Sequence, residues 1–184
     1  MRIIAGTARG RKLKSPKGMT TRPTSDRVRE ALFNILSSYV PGSRFLDLFS
    51  GTGAVAIEAL SRGAEKATLV ERDKNTARII YDNLRMCNVL DKAEVLTVDV
   101  SQATLIMRRK KETFDLIFID PPYKKGFEVP TLEKIQECHL LSSDGILVVE
   151  SDQKDLPPDL VGNLTATRRE RYGDTALTFY RLPS

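Results

Sequence analysis

Four consecutive residues, Asp120-Pro121-Pro122-Tyr123, follow directly on the apolar run Phe114-Asp115-Leu116-Ile117-Phe118-Ile119. Each proline ring fixes φ and removes an N–H donor, so a strand must stop here and the backbone must turn rigidly at its carboxyl end. A stiff turn at that edge of a parallel sheet is a place to hold a substrate. Asp120 and the Pro121 carbonyl, having no ladder partner, can both accept hydrogen bonds from one planar NH2 group, and Tyr123 offers a ring on which a flat base stacks. The combination suits chemistry on the exocyclic amine of a nucleobase. The lone pair of such an amine is drawn into the ring, and acceptors on its hydrogens let the nitrogen pyramidalise. Asp120, Pro121, Pro122 and Tyr123 are the candidate catalytic residues.

A second group of residues upstream is built for a nucleotide-like ligand. Arg44-Phe45-Leu46-Asp47-Leu48-Phe49 reads as a buried strand, Ser50-Gly51-Thr52-Gly53 as a glycine turn, and the segment from Ala54 to Arg62 as a helix with Val55, Ala56, Ala59 and Leu60 at helical spacing. Glycines there permit positive φ and close approach of backbone to ligand, and the helix N-terminus behind them presents unpaired N–H groups. The next strand, Ala67 to Glu71, ends in an acid 20 residues beyond Gly51, placed to accept ribose hydroxyls. Gly51-Thr52-Gly53-Ala54-Val55-Ala56 also fits the dinucleotide fingerprint, which keeps a NAD-linked oxidoreductase in view. Asp47 decides between them: a strand carboxylate aimed at the glycine turn repels a pyrophosphate and receives a cationic amino-acid head group. That favours S-adenosylmethionine.

Asp47-Leu48-Phe49-Ser50-Gly51-Thr52-Gly53, Glu71-Arg72-Asp73, Asp99 and Asp120-Pro121-Pro122-Tyr123 resemble the successive motifs of class I S-adenosylmethionine-dependent methyltransferases acting on exocyclic amines. Arg2-Ile3-Ile4-Ala5-Gly6, the segment from Arg22 to Asn34, and Tyr172-Gly173-Asp174-Thr175-Ala176-Leu177 narrow the resemblance to the RsmD family of bacterial 16S ribosomal RNA guanine-N2 methyltransferases, nearly end to end. What the resemblance implies is a cofactor site of Thr24, Asp47, Phe49, Ser50, Gly51, Thr52, Gly53, Glu71, Arg72, Asp99, Val100 and Asp120, with Glu71 on the ribose hydroxyls and Asp99 on the adenine amine. It also implies 16S ribosomal RNA as partner, in the assembled or assembling 30S subunit.

Charge supports a nucleic-acid substrate. The chain of 184 residues has a formal net charge of +5, and the first 25 residues hold seven bases and no acid. The rest holds 22 bases against 24 acids. Gly6, Gly10 and Pro16 punctuate this basic arm into short strands or a hairpin, suited to a mobile or clamp-like segment laid on phosphates. Arg9, Arg11, Lys12, Lys14 and Arg22, with Lys124 and Lys125 past the catalytic turn, are the candidate RNA contacts. Arg168, Arg169 and Arg171 could extend the same track. Residues 1–24 are read as a basic arm within the same domain as a methyltransferase unit of residues 25–184.

The remaining composition excludes several classes. No apolar run is long enough to span a membrane or serve as a signal peptide, so a cytoplasmic enzyme is expected; it is read as a monomer. Cys87 and Cys138 carry no metal spacing and are expected as reduced buried thiols. His139 is the only histidine, which argues against a zinc site or a Ser/His/Asp triad. A DNA adenine-N6 or cytosine-N4 methyltransferase is the alternative that the catalytic tetrapeptide alone permits. The spare length, about the basic arm, is too small for the separate recognition domain such enzymes generally carry. A non-enzymatic RNA-binding module is the third reading, disfavoured because every chemically needed residue is present.

The elements that must position these residues follow from periodicity. Val28, Ala31, Leu32, Ile35, Leu36 and Tyr39 form an apolar stripe on a helix over about 25–38, leaving Arg27, Arg29 and Glu30 outward or toward the cofactor. Further helices are predicted over 73–88, 101–111 and 131–139. Short apolar strands fall near 93–98, 114–119 and 145–150, and an antiparallel pair at 164–171 and 175–181 closes the sheet. The predicted fold is an α/β, Rossmann-like seven-stranded mixed sheet with helices on both faces.

Overall fold

The computed structural model describes residues 1–18 and 24–184. Helices and strands alternate in the order α1 (Asp26–Ile35), β1 (Arg44–Leu48), α2 (Ala54–Ser61), β2 (Lys66–Val70), α3 (Lys74–Met86), β3 (Ala93–Leu96), α4 (Val100–Arg109), β4 (Phe114–Ile119), α5 (Glu128–Glu137) and β5 (Leu141–Asp152). Three further strands follow, β6 (Leu160–Val161), β7 (Leu164–Tyr172) and β8 (Thr175–Arg181). Among the described residues they form one sheet in the order β3-β2-β1-β4-β5-β8-β7-β6. The first five pair in parallel and β8, β7 and β6 antiparallel. No helix among the described residues is long and apolar enough to cross a membrane.

Strand burial on both sides explains the apolar runs. Phe45, Leu69, Phe118 and Val148 project to the face covered by α1, α2 and α3, and Leu46, Leu48, Ile117, Ile119 and Leu147 to the face covered by α4 and α5. Parallel pairing brings Asp47 beside Phe118 and Leu48 beside Ile119, so β1 and β4 end together. The chain leaves β1 toward β2 on one side while β4 lies on the other. The crevice outside their carboxyl ends is the switch point at which such sheets bind ligands. Three helices also begin along this edge on side-chain caps: Ser25 accepts from the Val28 amide, Asp73 from Thr76 and Asp99 from Gln102.

The sheet has eight strands rather than seven. β6 contributes only two residues, paired with Leu164 and Thr165, too short for any alternation to be read. β5 is longer than predicted because Leu141 already pairs with Phe114 across a bulge before Gly145. α1 stops at Ile35, and Tyr39, predicted on its apolar stripe, is 46% exposed with its hydroxyl accepting from Arg181. α5 starts earlier than predicted, at Glu128, because Pro130 falls in the first turn, where its missing N–H costs no hydrogen bond.

Arg29 overturns a second expectation. It points inward, fully buried, with Nε 3.2 Å from Glu58 Oε1. Glu58 also accepts the Ile4 and Ala5 amides at 2.8 and 3.1 Å and Arg62 Nε at 2.9 Å, and Arg29 donates to the Arg2 carbonyl. The first part of the basic arm, residues 1–14, is therefore held against the rest of the domain. It is a hairpin bridged at Arg2 and Lys12, with Ile3, Ala8 and Leu13 in the core, each of the larger two contributing about 1.5–3 kcal/mol by burial. Gly6 closes the approach: a Cβ there would lie 1.8 Å from the Ser61 carbonyl oxygen.

Candidate active site

A cavity of about 1240 Å³ opens at the carboxyl edge between β1 and β4. Asp47, Phe49, Ser50 and Thr52 line it from the end of β1, Glu71 and Arg72 from β2, and Asp99 and Val100 from the start of α4. Asp120, Pro121, Pro122 and Tyr123 line it from the turn after β4, with Thr24 above them. Thirteen sequence-predicted residues, up to 99 positions apart in the chain, thus line one cavity. Gly51 and Gly53 shape the turn with φ of +57° and +81°, a conformation that costs glycine nothing. Phe49 takes φ +62°, uncommon for a bulky residue, and its ring lies 6.0 Å from that of Phe127.

The turn is braced from two sides. Gly51 donates its amide to Glu71 Oε2 at 3.0 Å, and the other Glu71 oxygen accepts the Asp73 amide at 3.0 Å. Asn83, fully buried on α3, donates to the Thr52 carbonyl at 3.0 Å and to the Lys14 carbonyl at 3.1 Å, while its Oδ1 accepts the Lys14 amide. One amide side chain thus joins glycine turn and hairpin. Sequence periodicity placed Asn83 on a helix and gave it no role, because a buried Asn has no spacing signature.

Electrostatics concentrate at the base of the cavity. Asp47 is buried, and one carboxylate oxygen, Oδ2, has no hydrogen-bond partner among the described residues. Burial pushes its carboxyl up to about 8, opposed by the Ala56 amide and the Ser50 hydroxyl and aided by the Glu71 charge. Asp120 is also held well above the usual carboxylate range, first by burial and then by Glu150, with Thr24 pulling the other way. The Thr24 hydroxyl stands 3.2 Å from Asp120 Oδ2 and 2.6 Å from Glu150 Oε2. Glu150 was missed in the sequence, although it ends the apolar run Ile146 to Val149 as Glu71 ends the run before it. Asp99 spends Oδ1 on the cap of α4.

The predicted RNA contacts are arranged differently. Arg9, Arg11, Lys12 and Lys14 are exposed on the hairpin outside the cavity, with Lys14 3.3 Å from Asp82. Lys125 lines the cavity and Lys124 is exposed beside it, whereas Lys17, not singled out before, reaches the rim from the arm. Arg22 lies outside the described residues. Arg169 is bound to Asp159 and the Pro157 carbonyl, and Arg168 pairs with Glu170 at 2.8 Å.

A family described as conserved hypothetical protein 95 matches residues 1–181. The chain belongs to this family. Relatives bear the same extent: YlbH of Bacillus subtilis is 40% identical over 98% of either chain, and a protein of Escherichia coli K12 named ribosomal RNA small subunit methyltransferase D is 35% identical over 98% of this chain and 89% of its own. The solved structure of yhhF from Escherichia coli superposes with a TM-score of 0.87 at 32% identity, covering 100% of this chain and 98% of that one. Family membership thus extends from the hairpin through the last strand, taking in every wall of the cavity.

Proposed function

We propose that this protein transfers a methyl group from S-adenosylmethionine to the exocyclic N2 amine of a guanine in the ribosomal RNA of the small subunit. The observation that carries the reading is the Asp120-Pro121-Pro122-Tyr123 turn, set at the end of β4 against a cavity whose other half is the glycine turn after β1. The relative named for small-subunit ribosomal RNA methylation supports the substrate, and the resemblance to guanine-N2 enzymes supports the base. A ribosomal substrate, whether assembled or assembling, would be met in the bacterial cytoplasm.

The cavity fits the cofactor. The Asp47 oxygen that has no partner among the described residues suits a cationic amino-acid head group, and a Cβ built on Gly51 meets nothing within 4 Å, so the turn leaves room for a ligand against its backbone. When bound, S-adenosylmethionine supplies an electrophilic methyl on a sulfonium. Thr24, Asp47, Phe49, Ser50, Gly51, Thr52, Gly53, Glu71, Arg72, Asp99, Val100 and Asp120 would hold it, with the remaining Glu71 lone pairs on the ribose.

Asp120 and the Pro121 carbonyl take the amine hydrogens, and the Asp120 charge stabilises the positive charge that develops on nitrogen. The Pro-Pro turn fixes both acceptors before the substrate arrives, so none of the barrier goes to reorganising them. Tyr123, 36% exposed at the mouth, supplies the stacking that a base loses when it leaves its helix. The exposed bases of the hairpin and Lys124 and Lys125 contact phosphates. Mass mapping of modified nucleotides in 16S RNA from cells lacking this protein tests the reading: one N2-methylguanine should vanish and return on incubation of those subunits with the protein and cofactor. An unchanged map would overturn it.

A further inference from the structure

Phe127 belongs to no motif that pointed to the site, yet it lines the cavity from the N-cap of α5 and is 39% exposed there. Its ring centroid lies 6.0 Å from that of Phe49, with the planes tilted by 45°. Two rings that hold a flat ligand between them must stand about 7 Å apart, twice the contact distance between carbon atoms. At 6.0 Å and tilted, Phe49 and Phe127 leave no room for a plane between them. They form one corner of the cavity wall, and a flat ligand can only lie against it.

The position of this corner narrows what it takes. Phe49 packs on the α4 and α5 face of the sheet, as do Val98 and Val100 at the start of α4. Both valines line the cavity, and so does Pro130 in the first turn of α5. Asp99, between the valines, gives Oδ1 to the Gln102 amide, and its carboxylate keeps lone pairs for an exocyclic amine. Apolar walls with one acceptor among them fit an aminopurine. Two aminopurines meet in this cavity under the methyl-transfer reading, the adenine of the cofactor and the target guanine. The guanine amine is taken by Asp120 and the Pro121 carbonyl in the catalytic turn, which leaves the adenine for the wall around Asp99.

We propose that Phe127 is a cofactor-binding residue whose ring stacks on the adenine, with Phe49 bracing it, so that α5 joins the cofactor site. The identity of the ligand rests on the methyl-transfer reading. Phe127 carries no charge, so it holds the base by its flat face alone, and any planar side chain at this position does the same. Tyr123, four residues earlier in the same connection, is left to the target base.

Two probes test this on the ligand-free protein by calorimetry: S-adenosylhomocysteine, and 5′-methylthioadenosine, which keeps the adenosine and lacks the amino-acid head group. Phe127→Ala should weaken both about tenfold, within the range for one base on one aromatic ring, and by the same factor, because the lost contact is with the adenine they share. Phe127→Tyr should bind both within about twofold of the wild type, and Phe127→Leu, apolar but not flat, should fall between. Thermal melting confirms that each variant folds. In methylation assays the cofactor KM of Phe127→Ala should rise while the RNA KM does not follow. Unchanged binding of both probes to folded Phe127→Ala overturns the proposal. So does weakening of S-adenosylhomocysteine alone, which would put the ring on the head group, and so does a raised RNA KM with unchanged probe binding, which would give it to the target base. Wild-type protein that binds neither probe refutes the cofactor reading and the proposal together. Wild-type protein that binds both and methylates no small-subunit RNA refutes the substrate reading alone, with calorimetry still deciding Phe127.

Discussion

Glu71 Oε2 accepts the Gly51 amide at 3.0 Å, tying the end of β2 to the glycine turn that follows β1. The acid at this position braces the turn before it holds any ligand. Its second oxygen accepts the Asp73 amide at the start of α3, so the carboxylate clamps three segments of the cavity rim. Each carboxylate oxygen retains a further lone pair, which leaves Glu71 able to accept ribose hydroxyls without releasing either amide.

Glu71→Ala should therefore lose more than one contact. S-adenosylmethionine binding should weaken by about 1.5–3 kcal/mol, the range for a hydrogen bond to a charged group, and the free protein should also melt lower because two backbone amides lose their acceptor. Titration calorimetry with thermal melting of the ligand-free protein checks both. Weaker binding with an unchanged melt would mean that the clamp contributes nothing to the turn.

Asp47 gives a pH dependence of definite sign. Its carboxyl is raised from 3.8 to about 8 by burial, so the folded chain holds this proton more tightly than the unfolded chain. The contribution to stability is full below about pH 4 and is lost as the pH rises toward 8. Asp47→Asn should remove that decline, making the free protein gain on the wild type through this window. A cationic head group would ionise Asp47, so cofactor binding near pH 6 should release a proton in the wild type and not in Asp47→Asn. Calorimetry in buffers of different ionisation heat measures the release directly.

Glu58 is the acid whose loss the fold should feel most. It and Arg29 are both fully buried, and Glu58 also holds the Ile4 and Ala5 amides of the hairpin. Glu58→Ala leaves the buried Arg29 guanidinium with only the half-exposed Asp26 carboxylate and the Arg2 carbonyl as partners, and should cost about 3 kcal/mol in urea unfolding, the low end for a broken buried pair, with Glu58→Gln costing less because the amide oxygen still accepts. A loss below about 1 kcal/mol would show that the hairpin is held by its other contacts, the apolar packing of Ile3, Ala8 and Leu13 and the hydrogen bonds to Ser61 and Asn83.

What could be read in the sequence was what short range controls. The Pro-Pro stop after Ile119, the glycine turn after Phe49 and the apolar strand runs placed the motifs on one sheet edge, because each depends on backbone constraints local to it. Arg29, Asn83 and Glu150 were illegible for the opposite reason. Their partners lie 29, 69 and 126 residues away in chain order, at Glu58, Lys14 and Thr24, and no periodicity reports such pairings. A charged residue on a helix reads as solvated until the element that covers it is known. The basic arm was half legible: Gly6 and Gly10 marked a hairpin, whereas the three apolar residues that pin it to the core, scattered among the charges, carried no periodicity.

That hairpin should bind RNA through charge alone. Arg9, Arg11 and Lys12 project into solvent, while Lys14 shares its charge with Asp82. Replacing all four by Ala should weaken RNA binding and flatten the dependence of log affinity on log salt, since fewer counterions are released, with Lys14 contributing least. Melting and cofactor affinity should stay near wild type because the side chains that pack the hairpin are kept. An unchanged salt slope in the folded variant would remove the hairpin from the RNA interface.

The catalytic turn makes different demands of its two polar side chains. Asp120→Ala removes an acceptor for the amine and the charge that stabilises the transition state, so single-turnover methyl transfer to small ribosomal subunits should fall about a hundredfold or more. Its loss also frees the Thr24 hydroxyl to serve Glu150 alone, so the variant should fold normally. Tyr123→Phe keeps the ring and should retain much of the activity, whereas Tyr123→Ala should lose about 1–3 kcal/mol of stacking and weaken substrate binding accordingly. All three variants are compared in one assay, with folding checked by melting. A near-wild-type rate in Asp120→Ala would make the tetrapeptide a structural stop for β4 and move the chemistry elsewhere in the cavity.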